Sequence, residues 1–246
     1  MNIIAYRSSF WIWSAVSAGW TLFNYFMLYL VVSVSSSIAG WSTNELYLYA
    51  SVFTMLDTLT WSFFYPNMKQ YTASVFDGSL STILLKPINP QIMLMMQTNT
   101  YSNASRLIIG LVLFIRSWHL LQLQPSATAL VLFVLLFAVG CLFVYSLWFI
   151  FATLSFWVEK LDNINEIVPG MRELIKFPDS IYTGTLSVIL TVVLPLGLTV
   201  SLPTNALLGT LNTLQAFYFA LFTLGLTLFS NVFFRSSIKK YAAVGA

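Results

Sequence analysis

Three stretches of this chain carry no charged side chain: residues 8–44, 120–158 and 180–234. Each exceeds the about 20 apolar residues that a helix needs to cross a hydrocarbon core of about 30 Å. The last has room for two crossings, with turn signals near Pro203-Thr204-Asn205. Between the deserts lie two more apolar segments with one central charge each, residues 45–66 around Asp57 and residues 92–115 around Arg106. Only 8% of the chain is charged, against about 25% in soluble domains, and the mean hydropathy is +0.82. A secreted disulfide scaffold, a nucleic-acid-binding module and a large soluble catalytic domain are thereby excluded. Barrel strands would show short alternating segments rather than long apolar runs. The expectation is an all-α integral membrane protein, a single transmembrane domain over residues 1–246. Its six transmembrane helices fall at about 16–38, 46–66, 92–115, 127–157, 181–201 and 213–234.

Lysine and arginine in short loops set the orientation. With the N-terminus inside, the inner face receives Arg7, Lys69, Lys86, Lys160, Arg172, Lys176, Arg235, Lys239 and Lys240. The outer face keeps only Arg116, so both termini are expected in the cytoplasm. The net charge of +3 mostly records this topology, and the mixed signs of the charged loops argue against nucleic acid. Residues 1–15 place Phe10, Trp11 and Trp13 close together with no small-residue cleavage pattern after them. That fits an interfacial helix on the inner leaflet better than a cleaved signal.

The loop over residues 69–90 is the most informative. Phe76, Leu80, Ile83 and Leu84 recur at i, i+4, i+7 and i+8, on one face of a helix. Pro87 and Pro90 then stop it. Periodicity leaves two readings open: a helix resting on lipid, or a contact helix docked in a groove of a soluble partner.

The string Asp77-Gly78-Ser79-Leu80-Ser81-Thr82-Ile83-Leu84-Leu85-Lys86-Pro87 closely resembles the G-x-L-x-x-L-L-x-P loop of bacterial ABC-2-type permeases, a six-helix family with a separate ATPase. Phe156-Trp157-Val158-Glu159, Phe177-Pro178-Asp179-Ser180-Ile181-Tyr182, Leu194-Pro195 and Leu202-Pro203 follow in that family's order. Phe177 stands where a tyrosine is frequent. The resemblance implies a half-transporter in the bacterial inner membrane, an exporter whose pathway forms where two permease subunits, the same or related, meet. It assigns Phe76, Asp77, Gly78, Leu80, Ile83, Leu84, Lys86 and Pro87 to coupling with the ATPase. ATP and Mg would bind that partner, and this chain would bind no cofactor. Independently, no GxxxxGK[ST] is present and no glycine precedes a lysine, so the chain lacks a phosphate-cradling loop and is expected not to be an enzyme.

Asp57 and Arg106 lie near the middle of consecutive antiparallel spans, where an ionised group costs at least about 2.5 kcal/mol. A mutual ion pair is the economical reading; an anionic substrate on Arg106, or proton carriage by Asp57, are the others. The loop over residues 159–179 holds eight of the chain's nineteen charged residues, with Leu161, Ile164, Val168, Met171, Leu174 and Ile175 at helical spacing and Pro169-Gly170 as a break. It reads as a solvated cytoplasmic connector or a second ATPase contact. Pro195 and Pro203 are expected to fold the fifth span back near the outer surface as a gate, the alternative being a mild kink. Cys141 reads as a small core residue, and the lone His119 gives no metal set. Tyr65, Trp148 and Trp157 fit an aromatic belt. The sequon Asn103-Ala104-Ser105 falls inside a span. A stand-alone channel or secondary transporter would show internal repeats, and a membrane enzyme a polar catalytic cluster; neither is found. The cargo is not encoded in any of these motifs.

Overall fold

The computed structural model describes residues 7–34, 37–157 and 164–244, and nearly all of them are helical. Helix α1 (Arg7–Val34) runs unbroken. Nothing between residues 7 and 16 interrupts backbone hydrogen bonding, so the separate interfacial helix expected over residues 1–15 is absent from 7–15, while 1–6 lie outside the described residues. A two-residue hairpin, β1 (Ser37–Ile38) and β2 (Trp41–Ser42), leads into α2 (Thr43–Leu59). Ser42 and Glu45 cap α2 reciprocally, each side chain taking the other's backbone N–H.

Helix α2 does not stop at Leu59. It widens into a π-helical turn over Thr60–Phe64 and continues as α3 (Tyr65–Phe76). Pro66 explains the widening: it has no N–H for the carbonyl of Ser62, and its ring crowds that carbonyl. The freed Ser62 oxygen accepts instead from the amide of Thr100 at 2.9 Å. Beside it, fully buried Asn67 donates to the Met95 carbonyl at 2.6 Å and accepts the Thr98 amide at 2.8 Å. These bonds hold the 95–100 strand of backbone in an irregular path. The helix expected from residue 92 therefore begins only at α6 (Ala104–Leu120). Before it come only short pieces, α4 (Leu80–Leu84) and α5 (Pro90–Met95). At 17 residues, α6 reaches about 26 Å.

Helix α7 (Ala127–Thr153) and α11 (Thr213–Val244) run side by side in the same direction. Phe143 meets Phe219, the Ser146 and Thr227 hydroxyls bond at 2.8 Å, and Phe149 meets Phe234 edge-on. Tyr71 stacks on Phe149, closing the core between these helices and α3. Trp148, expected in an interfacial belt, is fully buried there instead.

Residues 164–181 are packed rather than solvated, with Ile164, Asn165, Val168 and Ile175 buried. They form a 3-10 turn, then α8 (Ile167–Ile175), then a second 3-10 turn. Pro169 and Gly170 do not break α8, because a proline in the first turn sacrifices no intrahelical donor. Their partners descend α3 and α2 in strict reverse order. Asn165 bonds Thr72, Glu166 accepts from Tyr65, and Arg172 reaches Asp57. The Tyr49 hydroxyl then meets the carbonyls of Ile175 and Phe177, and Ser180 bonds both Trp41 and Ala39 in the hairpin. The partners from Thr72 to Tyr49 lie about 35 Å apart along α2 and α3, and residues 165–177 run antiparallel along the middle of that length, about 23 Å of it. Residues 158–163, with Lys160, lie outside the described residues.

The segment expected to be a fifth span over 181–201 is two pieces. Helix α9 (Gly184–Val188) passes into a π-helical turn over Ile189–Val193. After a break around Pro195 comes α10 (Leu198–Leu208), bent by 84° from the first piece. Pro203 sits inside α10, and the turn follows Gly209, which adopts φ +73°, rather than residues 203–205. Among the described residues, three helices are long and apolar enough to cross a membrane alone, four if this bent pair counts as one.

Candidate functional site

Asp57 sits on the last full turns of α2, 2% exposed, between two arginines. Arg106 of α6 donates to Asp57 Oδ2 from Nη2. Arg172 of α8 donates from Nε to Oδ1 at 2.5 Å and from Nη2 to Oδ2 at 3.1 Å. The structure thus brings Asp57 and Arg106 together and adds a second cation, Arg172, from the charged segment over residues 159–179. Arg172 also lies over the Phe53 ring at 5.6 Å, and its Nη1 reaches the exposed Glu173 at 3.3 Å. At the buried centre one carboxylate, Asp57, faces two guanidinium groups, and the other anion within reach is the exposed Glu173 on the Arg172 side. Arg106 Nε is buried without a hydrogen-bond partner among the described residues.

Small side chains let these helices approach. A Cβ on Gly110 of α6 would stand 3.2 Å from Thr54 of α2, the close contact by which membrane helices pack. Ser105 donates to the Ser14 carbonyl and Ser17 donates to Asn103, tying α1 to the start of α6. The sequon asparagine is consumed in that packing.

At the other end, the expected helix over residues 76–85 is not continuous. Phe76 closes α3; Asp77, Gly78 and Ser79 turn the chain, with Gly78 at φ +79°, before α4 begins. Asp77 accepts the Ser79 amide at 2.9 Å, and bonding to Ser79 holds its carboxyl below the usual carboxylate range. Leu80 and Ile83 turn inward and are buried, while Leu84 is half-buried. Phe76, Asp77, Gly78, Leu85, Lys86 and Pro87 are exposed. The apolar stripe therefore divides: its centre anchors α4 to the chain's own body, and its ends face out. Periodicity locates an apolar face but not what covers it, and Leu85, off the stripe, is the most exposed large apolar side chain of the loop at 86%.

The broken segment is close-packed. Pro195 and Pro203 are buried, as is Thr199. A Cβ on Gly140 of α7 would come within 2.9 Å of the Thr199 carbonyl, and one on Gly197 within 2.8 Å of Asp179 Cβ. The Asp179 amide bonds Ser201 at 3.3 Å, fixing α10 against the end of the 164–181 strip. Ser62, Asn67 and Arg172 are the positioning residues that sequence reasoning missed. Pro66 signalled the first, since a proline in a long helix frees the carbonyl four residues earlier.

A family model described as ABC-2 family transporter protein matches residues 18–245. Comparison with curated proteins and with solved structures returned no match. The match takes in the charge cluster, the α3–α4 turn and the broken α9–α10 segment alike, and it covers nearly the whole chain: this protein belongs to the ABC-2 family of transporter proteins, as a membrane component of an ABC transporter.

Proposed function

We propose that this chain is the permease half of an ATP-driven exporter in the bacterial inner membrane, working with a separate ATP-binding subunit and a second permease subunit. It crosses the membrane six times with both termini cytoplasmic, residues 164–181 forming the fifth crossing and α9–α10 dipping back from the outer side. The observation that carries the reading is the family match over residues 18–245. The reversed strip along α2 and α3 supports the fifth crossing, because it runs antiparallel to them with its partners ordered from Thr72 at one end to Tyr49 at the other. Moving Arg172 and Lys176 off the inner face still leaves Arg7, Lys69, Lys86, Lys160, Arg235, Lys239 and Lys240 there, against Arg116 outside.

Coupling runs through the exposed rim of the α3–α4 turn. Phe76, Leu85 and Pro87 offer apolar contact to an ATPase groove, and Asp77 and Lys86 flank it with charge. Buried Leu80 and Ile83 bind α4 to the helices behind it, so that displacement of the rim moves α3 and, through the continuous helix, Asp57. No cofactor binds here; ATP and Mg belong to the partner. The outer end is closed by α10, with Pro195 marking the break on which it would hinge.

Phe76→Asp and Leu85→Asp test the docking surface, since both side chains are exposed and neither change buries a charge. The permease–ATPase complex should form at least about tenfold more weakly, corresponding to loss of one buried apolar contact, with insertion unchanged. Normal co-purification and normal ATP-driven transport in both variants would overturn docking at this rim.

A further inference from the structure

The cluster around Asp57 opens on one side into a cavity of about 100 Å³ between α1, α2, α6 and α8. Three cations stand in its wall: Arg106, Arg172 and Lys176. Among the described residues no carboxylate lines it. Asp57 holds the two arginines from behind, beside the small cavity on the Trp148 side. Glu173, which lies 3.5 Å from Lys176 and 3.3 Å from Arg172, is 60% exposed. The rest of the wall is largely apolar, with Leu28 and Val31 of α1 facing Phe53 and Phe177.

A second cavity of about 450 Å³ continues along the same helices toward the outer side, where Arg116 stands with Tyr29 and Tyr47. Tyr25 lines both chambers, and its hydroxyl bonds the Thr54 hydroxyl at 3.0 Å between them. A buried guanidinium presents five donors in a fixed fork. Arg106 spends one on Asp57 and leaves Nε unpartnered beside a cavity that it lines.

We propose that this seam binds an anionic amphiphile: its phosphate or carboxylate group sits among Arg106, Arg172 and Lys176, and its hydrocarbon chain lies along Leu28, Val31 and Tyr25. The anion supplies the negative charge that one carboxylate cannot, at a depth where an unbalanced cation is costly. The alkyl portion replaces lipid against apolar side chains. A membrane phospholipid and a transported amphiphile share this chemistry. The inference rests on the chain being a membrane transport subunit, and not on where the ATPase docks.

The purified full chain in neutral detergent can be titrated with dihexanoyl-phosphatidylglycerol and, separately, dihexanoyl-phosphatidylcholine, following thermal unfolding. The two probes have the same acyl chains and differ in net headgroup charge. Phosphatidylglycerol should bind about tenfold more tightly, because both probes carry the phosphate but the choline ammonium of phosphatidylcholine is repelled by Arg106, Arg172 and Lys176. Arg106→Gln, which leaves Asp57 paired with Arg172, should abolish the preference, and Arg106→Lys should retain part of it. Lys176 makes no contact with Asp57, and a reduced preference in Lys176→Gln with an unchanged unfolding temperature in the absence of lipid separates lost binding from a folding defect. Equal binding of the two probes to the wild-type chain would overturn the site. A preference unchanged by both Arg106→Gln and Lys176→Gln would do the same. In phosphatidylcholine vesicles holding the complete transporter, ATP-dependent movement of a fluorescent short-chain phosphatidylglycerol identifies a cargo. Binding without movement identifies a resident lipid; either result keeps the site. Failure of Phe76→Asp to weaken ATPase docking leaves these binding results untouched.

Discussion

Asp57 holds two arginines, so substitutions within the cluster should be strongly unequal. Arg106→Gln removes one cation and leaves a charge-balanced pair, Asp57 with Arg172, still joined by two hydrogen bonds. Its cost is that of one charge-assisted bond, about 1.5–3 kcal/mol. Asp57→Asn keeps the shape but strands the buried guanidinium of Arg106 and the half-buried one of Arg172. Breaking a buried pair in this way costs about 3–5 kcal/mol. Repulsion is a large part of it: two unit charges about 6 Å apart, at an effective dielectric of about 20, repel by about 3 kcal/mol. The double variant Asp57→Asn/Arg106→Gln keeps a single stranded cation, Arg172, whose Nη1 still reaches Glu173. It should therefore be more stable than Asp57→Asn alone. Thermal unfolding of the detergent-solubilised protein, read as a mutant cycle, supplies the comparison. At roughly 2–4 °C per kcal/mol for a chain of this size, Asp57→Asn should lose about 10 °C and the double variant should recover part of it. If Asp57→Asn is no worse than Arg106→Gln, or if the two effects simply add, the carboxylate is not the counter-ion of both arginines.

Gly140→Ala should destabilise by about 1–3 kcal/mol, because its methyl group meets the Thr199 backbone at 2.9 Å. Gly225→Ala in α11, with nothing within 4 Å, should be neutral or slightly stabilising; equal losses in the two would remove the claim of close α7–α10 contact. In a Cys141→Ala background, Asn205→Cys should react with an impermeant thiol reagent from outside. Thr199→Cys, fully buried, should react only in transporter that is turning over ATP, and its inertness in every nucleotide state would make α10 a static plug.

Much of the fold was legible because lipid imposes a coarse rule: α1, α7 and α11 coincide with charge-free runs long enough to cross. Asp57 and Arg106 were legible as a pair by depth alone, on consecutive antiparallel segments, and their side chains meet. Arg172 was not, for the same reason. Once one cation balances one anion, nothing in the pattern asks for another, and a segment with eight charges reads as solvated. The five of those charges among the described residues are instead spread along a strip, Glu166 at Tyr65, Arg172 at Asp57, and Glu173, Lys176 and Asp179 along the rest of it. The π-turn at Thr60–Phe64 and the late start of α6 escaped notice because Pro66, Ser62, Asn67 and Thr100 act across sequence separations that periodicity does not sample. The loop over residues 69–90 was visible as amphipathic, yet the direction of its apolar face is a tertiary fact.

The strip over residues 164–181 also sets an order of assembly during synthesis. With Arg172 at its centre and Glu166, Glu173, Lys176 and Asp179 around it, the strip would be rejected as an independent span. One arginine at mid-depth costs about 2.5–3.5 kcal/mol in insertion, and too few apolar residues are present to offset it. It becomes acceptable only beside a waiting carboxylate. Helices α2 and α6 leave the ribosome first and already hold Asp57 in place, so the nascent strip has a site into which it can slide. A variant lacking the carboxylate would thus insert less efficiently, a fraction of its chains keeping the strip on the cytoplasmic side with α11 reversed, while the correctly inserted fraction shows the lower thermal stability. A glycosylation or protease tag placed after α11 would report that reversal directly.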